Sequence, residues 1–187
     1  MPLPSAIVPT SVVRPARFTA AAAWILASLS LVAAQIRPLT IEELTTKATR
    51  VDLARVDAVE VTRDSKGVPL TRIELSVEST WKGTPTNRIT ITQAAGTLGT
   101  RRVVVSGEAL YEPGEEVVVF LTPNTLGEWL TLEMAQGKFS IHRPNPTNVW
   151  VRNAVLGGSP APGGFRPPHQ LPLSLAELQR RVSEAKP

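Results

Sequence analysis

The chain has 187 residues, 42% of them hydrophobic and only 19% charged, with 17 prolines and a formal net charge of +4. That balance is too apolar for a disordered chain and too rich in proline for a helical bundle, and the length suits one compact domain. The absence of cysteine excludes disulfides, zinc-thiolate and iron–sulfur sites, a cysteine nucleophile and a lipoprotein anchor.

Residues 1–34 have the pattern of a signal peptide. Arg14 and Arg17 form a positive n-region, and no acidic residue occurs before Glu42. "FTAAAAWILASLSLVAA" then runs uncharged from Phe18 to Ala34, with Val32 and Ala34 as the small residues before cleavage between Ala34 and Gln35. As a helix this run spans about 25 Å, short of the ~30 Å hydrocarbon core, so an uncleaved anchor is the alternative reading. Removing Arg14 and Arg17 reduces 20 basic residues to 18 against 16 acidic ones, a net +2. A nearly neutral exported domain is a poor match for nucleic acid, where phosphate neutralisation dominates binding. The expected location is therefore periplasmic or secreted, with membrane contact only if the segment is retained.

The remaining chain predicts a mainly β domain over 35–153 with a helix at each end. Thr40 followed by Glu43 is a capping box, and Ile41, Leu44 and Ala48 share a face, so a short helix runs from Ile41 to about Thr49. Val51 and Leu53 alternate in one phase and Val56 and Ala58 in the other, which suggests a bulged or sharply coiled first strand, with a short helical turn as the alternative. "TRIELSVESTW" sets Ile73, Leu75, Val77 and Trp81 against Arg72, Glu74, Ser76 and Glu78, and "RITIT" repeats the alternation with Ile89 and Ile91 inward. Val117 to Leu121 is continuously apolar, as in a strand buried on both faces. "EWLTLEM", "GKFSIHR" and "TNVWVR" read as three further strands. Residues 154–172 hold five prolines and four glycines, a linker or extended arm. Residues 173–187 close the chain with a helix: Ser174 and Glu177 pair as a cap, and Leu175, Leu178 and Val182 form one stripe.

The succession "ATRVDLARVDAVEV", "TRIELSVESTWKGT", "RITITQAAG", "YEPGEEVVVFLTP" and "AQGKFSIHR" resembles exported bacterial proteins related to the netrin-like or tissue-inhibitor-of-metalloproteinase-like domain. The resemblance covers roughly residues 39–152, and "WKG" and "PGEEVVVFL" carry most of it. It implies a small OB-like antiparallel β-barrel with flanking helices. Two features depart from that pattern: Ala54 stands where glycine is usual in the first strand, and the amino-terminal cysteine by which the animal inhibitors reach a protease's zinc is missing.

Candidate chemistry is sparse. "AAGTLGTRR" lacks the Gly-Lys-Ser/Thr of a phosphate loop and runs into a strand, so Gly96 and Gly99 are expected to supply positive φ between strands. No G-x-S-x-G occurs, and the two histidines are His142 and His169, the latter in the linker. Ser140 and His142 share a face, leaving a hydrolase assembled around them as the alternative to a non-catalytic module. Two separated histidines make a poor metal site, and no cofactor is expected. Glu115 and Glu116 diverge at a strand start and read as solvation of the Pro113-Gly114 turn. One binding constellation stands out: Lys138, Ser140 and His142 point outward, as do Trp150 and Arg152. If their strands pair, Lys138, His142, Trp150 and Arg152 share a surface of the kind on which OB-type barrels bind ligands, unless Trp150 folds under the proline-rich arm. The expected function is an exported binding or inhibitory module. Its partner would be a protein or an envelope polymer, and a membrane-anchored structural component is a further alternative.

Overall fold

A computed structural model describes residues 37–145, 147–155 and 173–185. The signal-like segment with its Ala34–Gln35 junction, most of the 154–172 linker and His169 lie outside the described residues. The first helix, α1, spans Ile41–Lys47, and the Thr40–Glu43 capping box is formed in both directions. Ten strands follow: β1 (Arg50–Arg63), β2 (Pro69–Lys82), β3 (Arg88–Gln93), β4 (Gly96–Leu98), β5 (Arg101–Val103), β6 (Glu116–Pro123), β7 (Trp129–Thr131), β8 (Lys138–Asn145), β9 (Asn148–Asn153) and β10 (Leu173–Ser174). A second helix, α2 (Leu175–Glu184), ends the described chain.

β1, β2, β3, β7 and β6 close into a five-stranded barrel, because β1 pairs with β6 as well as with β2. The ladders are antiparallel except at the closing β3–β7 contact, where Ile91 pairs with Trp129 in parallel. β8, β9 and β10 extend the sheet beyond β6, and β4 with β5 forms a separate hairpin.

β6 explains the architecture. Val117, Val119 and Leu121 face the barrel interior with Ala54, Val56, Ile73, Leu75, Ile89 and Ile91. Val118 and Phe120 face the other way, into a second core with Leu44, Trp81, Phe139, Val151, Leu178 and Val182. Alternation sends successive side chains to opposite faces, so a strand between two cores must be apolar throughout. β1 follows the same logic at its start, with Val51 in the outer core and Ala54 and Val56 inside the barrel. Register shifts interrupt the β1–β2 ladder, and at one of them Asp57 is passed over, which turns Val59 back toward the interior beside Val56.

Some expectations are corrected. "EWLTLEM" is a strand only over Trp129–Thr131; Glu133 and Met134 then adopt positive φ (49° and 60°), and a 3-10 turn covers Met134–Gly137. That turn packs tightly, since a Cβ on Gly137 would lie 2.3 Å from the Leu132 carbonyl oxygen. In the hairpin Gly99 has φ +62°, as expected, but Gly96 does not have positive φ. Gly96 is needed for close approach instead, because a Cβ there would meet Val61 Cγ1 at 2.7 Å. The closing helix starts at Leu175 directly after its Ser174 cap, as the Ser174–Glu177 pair predicts, and Leu173 and Ser174 before it pair with Val151 and Trp150. Its Leu178 and Val182 are fully buried in the outer core, so α2 packs on its own domain.

Candidate functional site

β8 and β9 pair in a register that sets His142 opposite Trp150 and Ser140 opposite Arg152. Phe139 and Ile141 are buried beneath, so the alternate residues Lys138, Ser140 and His142 occupy the other face. The His142 and Trp150 rings are stacked, 4.2 Å between centroids and 18° from parallel. Both are half-buried rather than freely solvated, and Trp150 takes its described ring contact from His142.

Lys138, Ser140, His142 and Arg152 line an open cleft of about 420 Å³ together with Glu108 and Leu110. Three of the four predicted binding residues thus reach one concavity, and the fourth, Trp150, stacks against His142 on its lining. The volume falls in the usual range for small-ligand sites, about 300–1,000 Å³. Leu110 is 84% exposed and offers an apolar contact at the rim.

Glu115 organises one wall. Its carboxylate accepts from Lys138 Nζ at 2.7 and 2.9 Å and from the Ser140 hydroxyl at 2.5 Å. Lys138 Nζ also donates to the Leu110 carbonyl and lies 4.8 Å from the centre of the Tyr111 ring. Glu116 points away and pairs with Arg55 and Arg143. The two glutamates do diverge, but the expectation of mere turn solvation is wrong: each is committed to cations on neighbouring strands. The sequence signal was there in part, since Pro113-Gly114 places Glu115 at the mouth of β6 opposite β8, but only strand pairing shows which cation it meets.

Tyr111 is buried, and its hydroxyl shares a hydrogen bond with Thr131 at 2.7 Å. Burial pushes its phenol pKa far up, so the ring stays neutral and serves Lys138 as a π face. Burial also raises the Glu108 carboxyl pKa, a shift partly opposed by a hydrogen bond from the Ala94 backbone. Its Oε2 is buried with no hydrogen-bond partner. Nothing in the sequence pattern singled out Glu108, because it lies in an irregular stretch between β5 and β6.

The Ser140 hydroxyl donates to the Glu115 carboxylate, whereas in a Ser-His-acid arrangement it would face an imidazole. His142 stacks its ring on an indole. Among the described residues no group of three or more His, Asp or Glu side chains is placed to hold a metal ion. No family model matches this sequence, and no curated protein matches it either.

Proposed function

We propose that this chain is an exported, non-catalytic binding or inhibitory module that meets its partner, a protein or an envelope polymer, at the β8–β9 cleft. The observation that carries this reading is the convergence of Lys138, His142 and Arg152 on one cleft, with the Trp150 stack beside it and Leu110 at its rim. Stacked aromatic surface with a few placed polar groups is the usual composition of a recognition site. The closed barrel is compatible with an OB-type, netrin-like ancestry, and the signal-like pattern of residues 1–34 supports a periplasmic or secreted location.

The test is capture from the envelope fraction of the producing cell with the wild-type chain and with Leu110→Glu and Trp150→Ala variants. Both substitutions alter the cleft region without touching either core. A partner retained by the wild type and lost by both variants at unchanged melting temperature supports the reading. Hydrolysis of peptide, ester or glycan substrates that disappears in Ser140→Ala and His142→Ala would replace it with an envelope hydrolase.

A further inference from the structure

The turn between β1 and β2 and the β4–β5 hairpin bring cations together. Nη1 of Arg63 and Nη1 of Arg101 both donate to the carbonyl oxygen of Gly67, at 3.4 and 3.3 Å. Two guanidinium groups sharing one acceptor lie within the ~8 Å Debye length of physiological salt, so their repulsion is not screened away. Lys66 and Arg102, next in sequence to Gly67 and Arg101, are exposed as well. Among the described residues, none of these four cations is in an ion pair. The acid in this turn, Asp64, directs its Oδ1 to the backbone N–H groups of Lys66 and Val68 at 2.9 and 2.7 Å.

The arrangement is held in place rather than left to a loose loop. Thr71 donates its hydroxyl to the Ala95 carbonyl at 2.6 Å, and Gly96 packs directly against Val61. β4 and β5 then carry Arg101 to the Gly67 carbonyl. Two residues beyond Arg102, Val104 is 67% exposed. Four cations against the single Asp64 carboxylate of the turn leave the local potential positive, and an exposed aliphatic side chain nearby adds an apolar contact.

We propose that the exposed edge formed by Arg63, Lys66 and Arg101, with Arg102 and Val104 on the opposite side of β5, docks on an anionic phospholipid surface. Spread, solvent-exposed cations fit an array of phosphate headgroups, whereas one small anion would need donors converging in a pocket. The neighbouring valine fits the boundary between headgroups and acyl chains. This face shares no residue with the β8–β9 cleft, so either assignment can fail without the other.

The experiment is co-sedimentation of the full chain with phosphatidylcholine vesicles, with and without one-third phosphatidylglycerol. Residues 1–34, with Arg14, Arg17 and the apolar run, are common to all variants, so their contribution cancels when the ratio of anionic to neutral binding is compared between variants. Each basic residue near an anionic surface contributes roughly fivefold, so Arg101→Gln/Arg102→Gln should lower that ratio roughly 25-fold. Arg101→Lys/Arg102→Lys should restore it, and Arg180→Gln, on the exposed face of α2, should leave it unchanged. If the double variant fails to fold, Lys66→Gln in the exposed turn should still lower the ratio roughly fivefold. A ratio of one for the wild type overturns the proposal. So does retention on dextran sulfate without preference for anionic vesicles, which assigns the face to a polysaccharide. Displacement by inorganic phosphate beyond that by chloride of equal ionic strength assigns a small-anion site instead.

Discussion

Arg181 on α2 grips Glu42 on α1 with two parallel hydrogen bonds, Nε to Oε1 at 2.6 Å and Nη2 to Oε2 at 2.7 Å. This bidentate bridge joins residues 139 positions apart, and Leu178 and Val182 lie buried beneath α2 in the core shared with Leu44 of α1. The bridge orients the helix, while the burial holds it.

Leu178→Ala should therefore cost about 2–5 kcal/mol, the range for emptying a buried leucine site. Arg181→Gln breaks a pair whose side chains are 32% and 47% exposed, and such pairs are typically worth about 0.2–1 kcal/mol. Urea titrations of both variants check the order. A loss at Arg181→Gln equal to that at Leu178→Ala would mean that charge, and not packing, fixes α2.

The apolar patterns in the sequence carried most of this fold. Val117 to Leu121 announced a strand buried on both faces, and the two capping boxes placed both helix starts to within a residue or two. Those signals are local, because alternation and capping depend on neighbours a few positions away. The link between Glu115 and Lys138 was not legible, since it depends on how β6 meets β8. The end of β7 was misread because "WLTLEM" alternates well, yet Glu133 and Met134 take positive φ that no alternation reveals. Of the candidate cleft, the residues on regular strands could be placed on one face from their spacing. Glu108 and Leu110, on irregular chain, could not.

Arg50 and Asp52 form an ion pair inside the domain, with side chains 6% and 0% exposed. Arg50 Nη2 also donates to Asp52 Oδ1 at 3.0 Å and to Thr80 Oγ1 at 3.2 Å, and Nη1 donates to the Thr84 carbonyl. Removing one partner strands a buried charge, so Asp52→Ala should cost about 3–5 kcal/mol. The double variant Arg50→Met/Asp52→Ala removes both charges and should be more stable than Asp52→Ala alone. Chemical denaturation of the two variants decides this, and a double variant weaker than the single one would show that the contacts of Arg50 to Thr80 and Thr84 matter more than the pair.

Glu108 and Glu42 should respond to acid in opposite directions. Hydrogen bonding from Arg181 lowers the Glu42 carboxyl pKa below its usual 4.5, so its stabilisation is present above that value and lost as the pH falls through the lowered one. Burial raises the Glu108 pKa above 4.5, so folding favours its protonated form. The stability Glu108 gives to the fold is therefore present in acid and is lost as the pH rises through the raised value. At neutral pH its ionised carboxylate has a buried oxygen without a partner, which is a cost to the fold. Glu108→Gln removes that charge and should raise the melting temperature near pH 7. The advantage over the wild type should shrink as the pH falls through the raised pKa of Glu108, where the native side chain becomes neutral too. Glu42→Gln should behave in reverse, lowering the melting temperature near neutrality and converging on the wild type in acid. Melting curves of the three proteins across that range test the signs directly, and a Glu108→Gln protein less stable than the wild type at pH 7 would mean that the Glu108 carboxylate is held by a favourable contact in the folded state.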